Sequence, residues 1–216
     1  MSNLFIYPIH KSASSLQKRI YHYINFKLEY ETIICKRLSD KRFSKIKNLE
    51  KFFIVLRHPL NTLISQYYSF GWTHSNTNFN KARFLERERI RQLTLDDYIL
   101  ESQKSLYTKF NFSYTYINKI IKYENMMNKP DKFLEFITRN CNAMHLLDEI
   151  KDRFIKDFMF DGIDLSQQIV DNKVISHKRN LDDNEYQKKL KKSTLDSLNP
   201  ETKQIIETYS LIDNIL

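Results

Sequence analysis

The chain is short of most residues that punctuate a fold. Only two glycines and four prolines stand in 216 residues, far below ordinary usage. A Walker-type phosphate loop needs Gly-x-x-x-x-Gly-Lys-Ser/Thr, and no stretch of the chain can be read that way. The two cysteines, Cys35 and Cys141, give neither a disulfide framework nor a zinc site. Cys35 closes a short apolar run and reads as a small core residue. Apolar runs are only a few residues long, so none spans a bilayer. No basic region precedes the apolar stretch at the N-terminus, so it does not read as a secretory signal. The compartment expected from this is the cytoplasm. Repeats and linkers are absent as well, and residues 1–216 read as one domain.

What is present is a foldable, basic chain. Hydrophobic residues make up 41% and aromatic residues 13%, and the formal net charge is +9. A positive chain favours anionic partners: a nucleotide, an acidic glycan, nucleic acid or a membrane surface. The lysines and arginines are dispersed over residues 36–47, 83–91 and 188–192, and each group reads first as a solvated helix face. No helix-turn-helix, zinc-finger or RNA-binding pattern accompanies them, so specific nucleic-acid binding is not expected.

Residues 4–16 organise the rest. Leu4, Phe5, Ile6 and Tyr7 form an unbroken apolar run, the pattern of a strand covered on both faces. Leu16, Ile20 and Ile24 then recur at helical spacing. Between them lies a loop with Lys11, Ser12, Ala13, Ser14 and Ser15. A loop from a strand end to a helix start turns several backbone N–H groups toward one point, where the helix dipole adds positive charge. Lys11 adds a full charge and the serines add hydroxyl donors, which suits a phosphate or sulfate group. The alternative is an ordinary serine-capped helix with a solvated lysine.

Further along, residues 32–35 read as a second strand, and residues 52–56 as a central buried strand of strong β formers. Pro59 then fits the first position of a helix, in which Leu60, Leu63, Ile64 and Tyr67 face the core. Arg57 therefore stands where a parallel strand ends and a helix begins, the side on which open α/β sheets bind ligands. Thr94 reads as the N-cap of a helix. The aromatic stretch 107–116 shows no clear period and reads as core packing. Residues 117–123 read as another strand, 131–140 and 146–160 as amphipathic helices, and 195–216 as a closing helix capped near Asn199 and Pro200.

Arg57-His58-Pro59, with Ser65 eight residues after the arginine and Tyr67-Tyr68-Ser69-Phe70 beyond it, resembles the 3′-phosphate motif of sulfotransferases that use 3′-phosphoadenosine 5′-phosphosulfate (PAPS). That family usually has Asp where this chain has His58. His10-Lys11-Ser12-Ala13-Ser14-Ser15 resembles the family's 5′-phosphosulfate loop, with Ala13 in place of the usual glycine. Tyr123-Glu124-Asn125-Met126 resembles its Tyr-Glu-Asp-Leu/Met segment. The stretch from Lys178 and Arg179 to Glu185 and Tyr186 is similar to its late Arg-Lys-Gly-x-x-Gly-Asp-Trp segment, with Leu181 and Asn184 where glycines are usual.

The resemblance implies an α/β fold similar to P-loop NTPases: a single domain whose central parallel sheet of four or five strands is flanked by helices. It implies sulfuryl transfer from PAPS to a hydroxyl or amine, leaving 3′,5′-adenosine bisphosphate (PAP), with no metal required. Lys11, Ser12, Ala13, Ser14 and Ser15 would hold the 5′ side. Arg57, Ser65, Lys178 and Arg179 would hold the 3′-phosphate. Tyr123 would lie near the adenine, or is simply a core tyrosine at a strand end. Lys11 would stabilise charge on the leaving phosphate, and His74 or Glu29 would serve as general base. The acceptor, a glycan or a small molecule, is not specified by the sequence, and neither is the choice between monomer and homodimer. Two other classes remain: a P-loop-like small-molecule or nucleotide kinase, and a non-catalytic binder of anionic glycan or nucleic acid.

Overall fold

A computed structural model describes residues 4–9, 12–29, 33–35, 51–73, 81–158, 169–170, 173–174, 184–213 and 215–216. Four strands, β1 (Leu4–Pro8), β2 (Ile33–Cys35), β3 (Phe52–Leu56) and β4 (Ile120–Lys122), form one parallel sheet in the order β2-β1-β3-β4. The fold is the expected α/β type, a central parallel sheet flanked by helices.

Alternation along the strands divides the core into two layers. Leu4, Ile6, Val55 and Ile121 face α1 (Ser14–Lys27), α7 (Pro130–Asn140) and α8 (Leu147–Phe158). Tyr7, Ile54, Leu56 and Ile120 face α2 (Pro59–Tyr68) and α4 (Leu95–Ser102), with α5 (Tyr107–Tyr114) and α11 (Pro200–Ser210) on the same side. Because both faces are covered, β1 and β3 read as continuous apolar runs rather than alternating ones.

The remaining elements explain where the chain departs from its local pattern. The unperiodic stretch from Tyr107 is helical because α5 is fastened sideways to α11. Phe110 is fully buried, the Tyr114 hydroxyl donates to the Ile205 carbonyl at 2.6 Å, and the Asn111 amide donates to Glu201 at 2.9 Å. The expected strand 117–123 is shorter than its apolar run: a 3₁₀ turn takes Ile117–Lys119, and α6 (Tyr123–Asn128) begins at Tyr123. The closing helix is broken by Pro200, which separates α10 (Lys192–Asp196) from α11. Thr94 caps α4 as expected, its hydroxyl accepting from the Asp97 N–H at 3.2 Å.

A π-helical turn (Ser69–Thr73) follows α2, and α3 (Lys81–Gln92) bonds back to it through Arg91, whose Nε donates to the Gly71 carbonyl at 2.8 Å. Two short antiparallel strands, β5 (Ile169–Val170) and β6 (Lys173–Val174), pair with each other, and a short helix α9 (Glu185–Lys189) follows. No helix among the described residues is long and apolar enough to cross a membrane.

Candidate functional site

The loops that leave β1 and β3 emerge side by side. Pro8 is in register with Val55, and pairing continues one residue further, the Ile9 N–H donating to the Val55 carbonyl at 3.0 Å. The turn into α1 and the Arg57–Pro59 turn into α2 therefore share one end of the sheet, the carboxyl end of its strands.

At the first turn, Ala13 has φ 54° and ψ 37°, a left-handed conformation. This is the position where the resemblance has glycine, and here the backbone adopts the glycine-type geometry with a methyl group attached. Such a residue costs about 1–2 kcal/mol relative to ordinary helical backbone. Among the described residues no side chain caps α1, and its first turn holds no acidic residue, so the helix end keeps its positive character. Ser14 is half-buried and Ser15 exposed there. Ser12 differs from expectation. It is fully buried, and its hydroxyl donates inward to the Ile9 carbonyl at 2.5 Å, so it is a brace for the loop rather than an outward donor.

At the second turn, Arg57 is 4% exposed. Its guanidinium lies 4.9 Å from the centre of the Tyr123 ring and reaches Glu185 at 3.3 Å. Among the described residues this is its one ion pair, and Nε is buried without a partner there, although a guanidinium carries five N–H donors. Glu185 is itself buried and also receives Lys189, at 2.5 Å. Two cations thus meet the Glu185 carboxylate, and Glu124 is a second buried acid within electrostatic reach of Arg57. Ser65 is nearly buried on α2, one helical turn beyond Asn61, whose Oδ1 accepts from the Tyr186 N–H at 3.1 Å. Tyr123 is buried beneath Arg57, and that burial raises its phenol pKa.

His58 occupies the position where the resemblance has Asp. Its ring stacks on Tyr186 with centroids 4.5 Å apart and meets Tyr209 edge-on at 5.4 Å. Burial, then the charges of Arg57 and Lys122, lower its pKa to about 3, so it is a neutral aromatic wedge. With no acid at residue 58, the partner of Arg57 comes instead from α9.

His58 should make the fold acid-sensitive. Between its ordinary pKa of 6.5 and about 3 the unfolded chain binds a proton that the folded chain refuses, so stability falls as pH drops through this window, by at most about 1.4 kcal/mol per pH unit. Glu124 contributes with opposite sign, since burial raises its pKa and the folded state then gains as pH falls. His58→Phe keeps the stack and removes both the titration and the buried Nδ1, which has no partner among the described residues. Relative to the parent it should be more stable at pH 5 by about 2 kcal/mol and less so at pH 7.5, measured by urea unfolding.

Glu124 and Tyr209 complete the cluster, and no local sequence pattern marks them as site residues. The Glu124 carboxylate accepts from the His58 N–H at 2.9 Å and from the Tyr209 hydroxyl at 2.5 Å. It ties the end of β3 to α6 and α11. Glu185 carries no such mark either, although it immediately precedes Tyr186 in the late segment.

Glu29 is corrected. It follows the C-terminal end of α1, exposed, with φ 58°. The helix between it and the loop has 14 residues, about 21 Å at 1.5 Å per residue. Glu29 is therefore too far from the carboxyl end of the strands to deprotonate an acceptor there. Lys11, His74, Lys178 and Arg179 lie outside the described residues.

No protein-family model matches the chain, and no curated protein matches it. Among solved structures, a mouse sulfotransferase complexed with PAP aligns over 97% of this chain and 82% of its own, with 15% identity and a TM-score of 0.42. Likeness at that level assigns no residue role here.

Proposed function

We propose that this chain is a PAPS-dependent sulfotransferase, transferring a sulfuryl group to an acceptor hydroxyl or amine. One observation carries the reading: the two turns whose sequences resemble the 5′-phosphosulfate and 3′-phosphate motifs leave adjacent parallel strands at one end of the sheet. The donor set fits the ligand. A buried guanidinium with an orphaned Nε suits a phosphate dianion, which can take two parallel N–H donors. An uncapped helix start in a glycine-type turn suits the 5′ group.

In this reading Lys11, Ala13, Ser14 and Ser15 hold the 5′ side, Lys11 stabilising charge on the bridging oxygen. Arg57 and Ser65 hold the 3′-phosphate, joined by Lys178 and Arg179. The 3′-phosphate shares Arg57 with Glu185, and Lys189 offers a second cation beside it. Tyr123 supports the guanidinium from below and need not touch adenine. His74 is the remaining candidate base. PAPS supplies the sulfuryl group. The protein's own contribution is positioning and charge stabilisation.

The test is turnover of PAPS with a panel of glycan, phenol and amine acceptors, followed as PAP release. Acceptor-dependent release that Lys11→Ala abolishes is expected. Release no faster than in buffer across the panel, or unchanged in Lys11→Ala, would overturn the assignment.

A further inference from the structure

The loop before α1 reaches a glycine-type geometry without glycine, and a buried side chain stands where it can enforce that. Gln17, in the first turn of α1, is fully buried. Its Nε2 donates to the Ser12 carbonyl at 2.5 Å, and its Oε1 accepts from the Tyr21 hydroxyl at 3.1 Å. Tyr21 is 1% exposed, so neither bond is shared with solvent.

The Ser12 residue is held from both ends. Its N–H and its hydroxyl both donate to the Ile9 carbonyl, at 3.1 and 2.5 Å, while its carbonyl is taken by Gln17. In a trans peptide the C=O and the next N–H point in opposite directions. With the Ser12 carbonyl directed at the buried Gln17, the Ala13 N–H points the opposite way, away from that side chain. It has no partner among the described residues. The Ser12–Ala13 peptide plane is one side of the Ala13 φ rotation, so a bond that fixes the plane restrains the left-handed turn seen there.

We infer that Gln17, braced by Tyr21, is the positioning residue of the anion loop: it clamps the Ser12–Ala13 peptide so that Ala13 stays left-handed and its N–H faces the ligand. A glycine would reach this conformation unaided, having no Cβ to oppose it. Here a buried amide does the same work. The link to nucleotide affinity rests on the sulfotransferase reading; the clamp itself does not.

The experiment separates the two. Gln17→Leu keeps the volume and removes the amide, and Tyr21→Phe removes only the brace, serving if Gln17→Leu does not fold. Isotope-labelled protein reports the Ala13 backbone conformation through its Cα, Cβ and N chemical shifts, and calorimetry reports PAP affinity. Gln17→Leu should move the Ala13 shifts out of their left-handed pattern and weaken PAP about tenfold, the scale of one lost hydrogen bond. Tyr21→Phe should do so more weakly. Adding Ala13→Gly to Gln17→Leu should restore affinity, because glycine needs no clamp. A core-filling role for Gln17 would not be rescued this way. Unchanged Ala13 shifts in both variants, or no rescue by Ala13→Gly, would overturn the inference. If the parent protein fails to bind PAP, the sulfotransferase reading falls while the Ala13 shifts still decide the clamp.

Discussion

Arg57→Ala is expected to lower affinity for PAP by at least about a hundredfold, the size of a lost bidentate charge-assisted contact. Arg57→Lys should recover only part of this, since an ammonium cannot present the planar fork. The substitution also leaves Glu185 in the protein interior with Lys189 alone. Breaking one side of a buried ion pair costs about 3–5 kcal/mol, and the remaining lysine places this case at the lower end. Stability and binding can be pulled apart. Arg57→Met combined with Glu185→Gln removes both charges and should regain most of the stability by denaturant unfolding. It should not regain binding. Restored affinity in that pair would mean that Arg57 matters only for the fold.

The second large effect is structural. Glu124→Ala should destabilise the protein by about 3 kcal/mol, because it leaves the buried His58 N–H without its acceptor and takes the short bond from the Tyr209 hydroxyl, which keeps the 3.4 Å one to the Leu56 carbonyl. For a chain of this size that corresponds to a fall of roughly 6–12 °C in melting temperature. Glu124→Gln should lose far less. Its carbonyl oxygen accepts from the His58 N–H, and the Tyr209 hydroxyl can turn to accept from the amide. Gln also removes the raised carboxyl pKa caused by burial, so this variant should lack the fall in stability that Glu124 gives the parent as pH rises through that group's titration. Thermal melts of the two variants between pH 4.5 and 7.5 check both statements. Equal losses for Ala and Gln would contradict the assigned role of the carboxylate.

The residues differ in how far they could be read ahead. β1 and β3 were legible because strands covered on both faces leave unbroken apolar runs, and α2 because Pro59 and the Leu60, Leu63, Ile64, Tyr67 spacing coincide. Arg57 was legible from its place between that strand and that helix. Its partner was not. Glu185 is 128 residues away, and local pattern carries no information about such a pairing. The helix at Tyr107 was hidden because its apolar residues are not confined to one spacing: Tyr107, Phe110, Phe112 and Tyr114 all pack into the core, and hydroxyl and amide bonds fasten the helix to α11. Ala13 could be read as a glycine position only through the resemblance, and Gln17 gave no signal, since one buried amide in a helix leaves the periodicity intact. Glu29 shows the opposite error. It is close to Lys11 in sequence, but a helix of 14 residues carries it to the other end of the layer.

The most direct test of the central claim, that the carboxyl ends of β1 and β3 together hold a nucleotide phosphorylated at both the 3′ and 5′ positions, is calorimetric titration of the parent protein with PAP and, separately, with AMP. One PAP per chain, bound at least about tenfold more tightly than AMP as an added guanidinium–phosphate contact requires, is the predicted result. Equal affinity for the two nucleotides, or no binding of PAP, would contradict it.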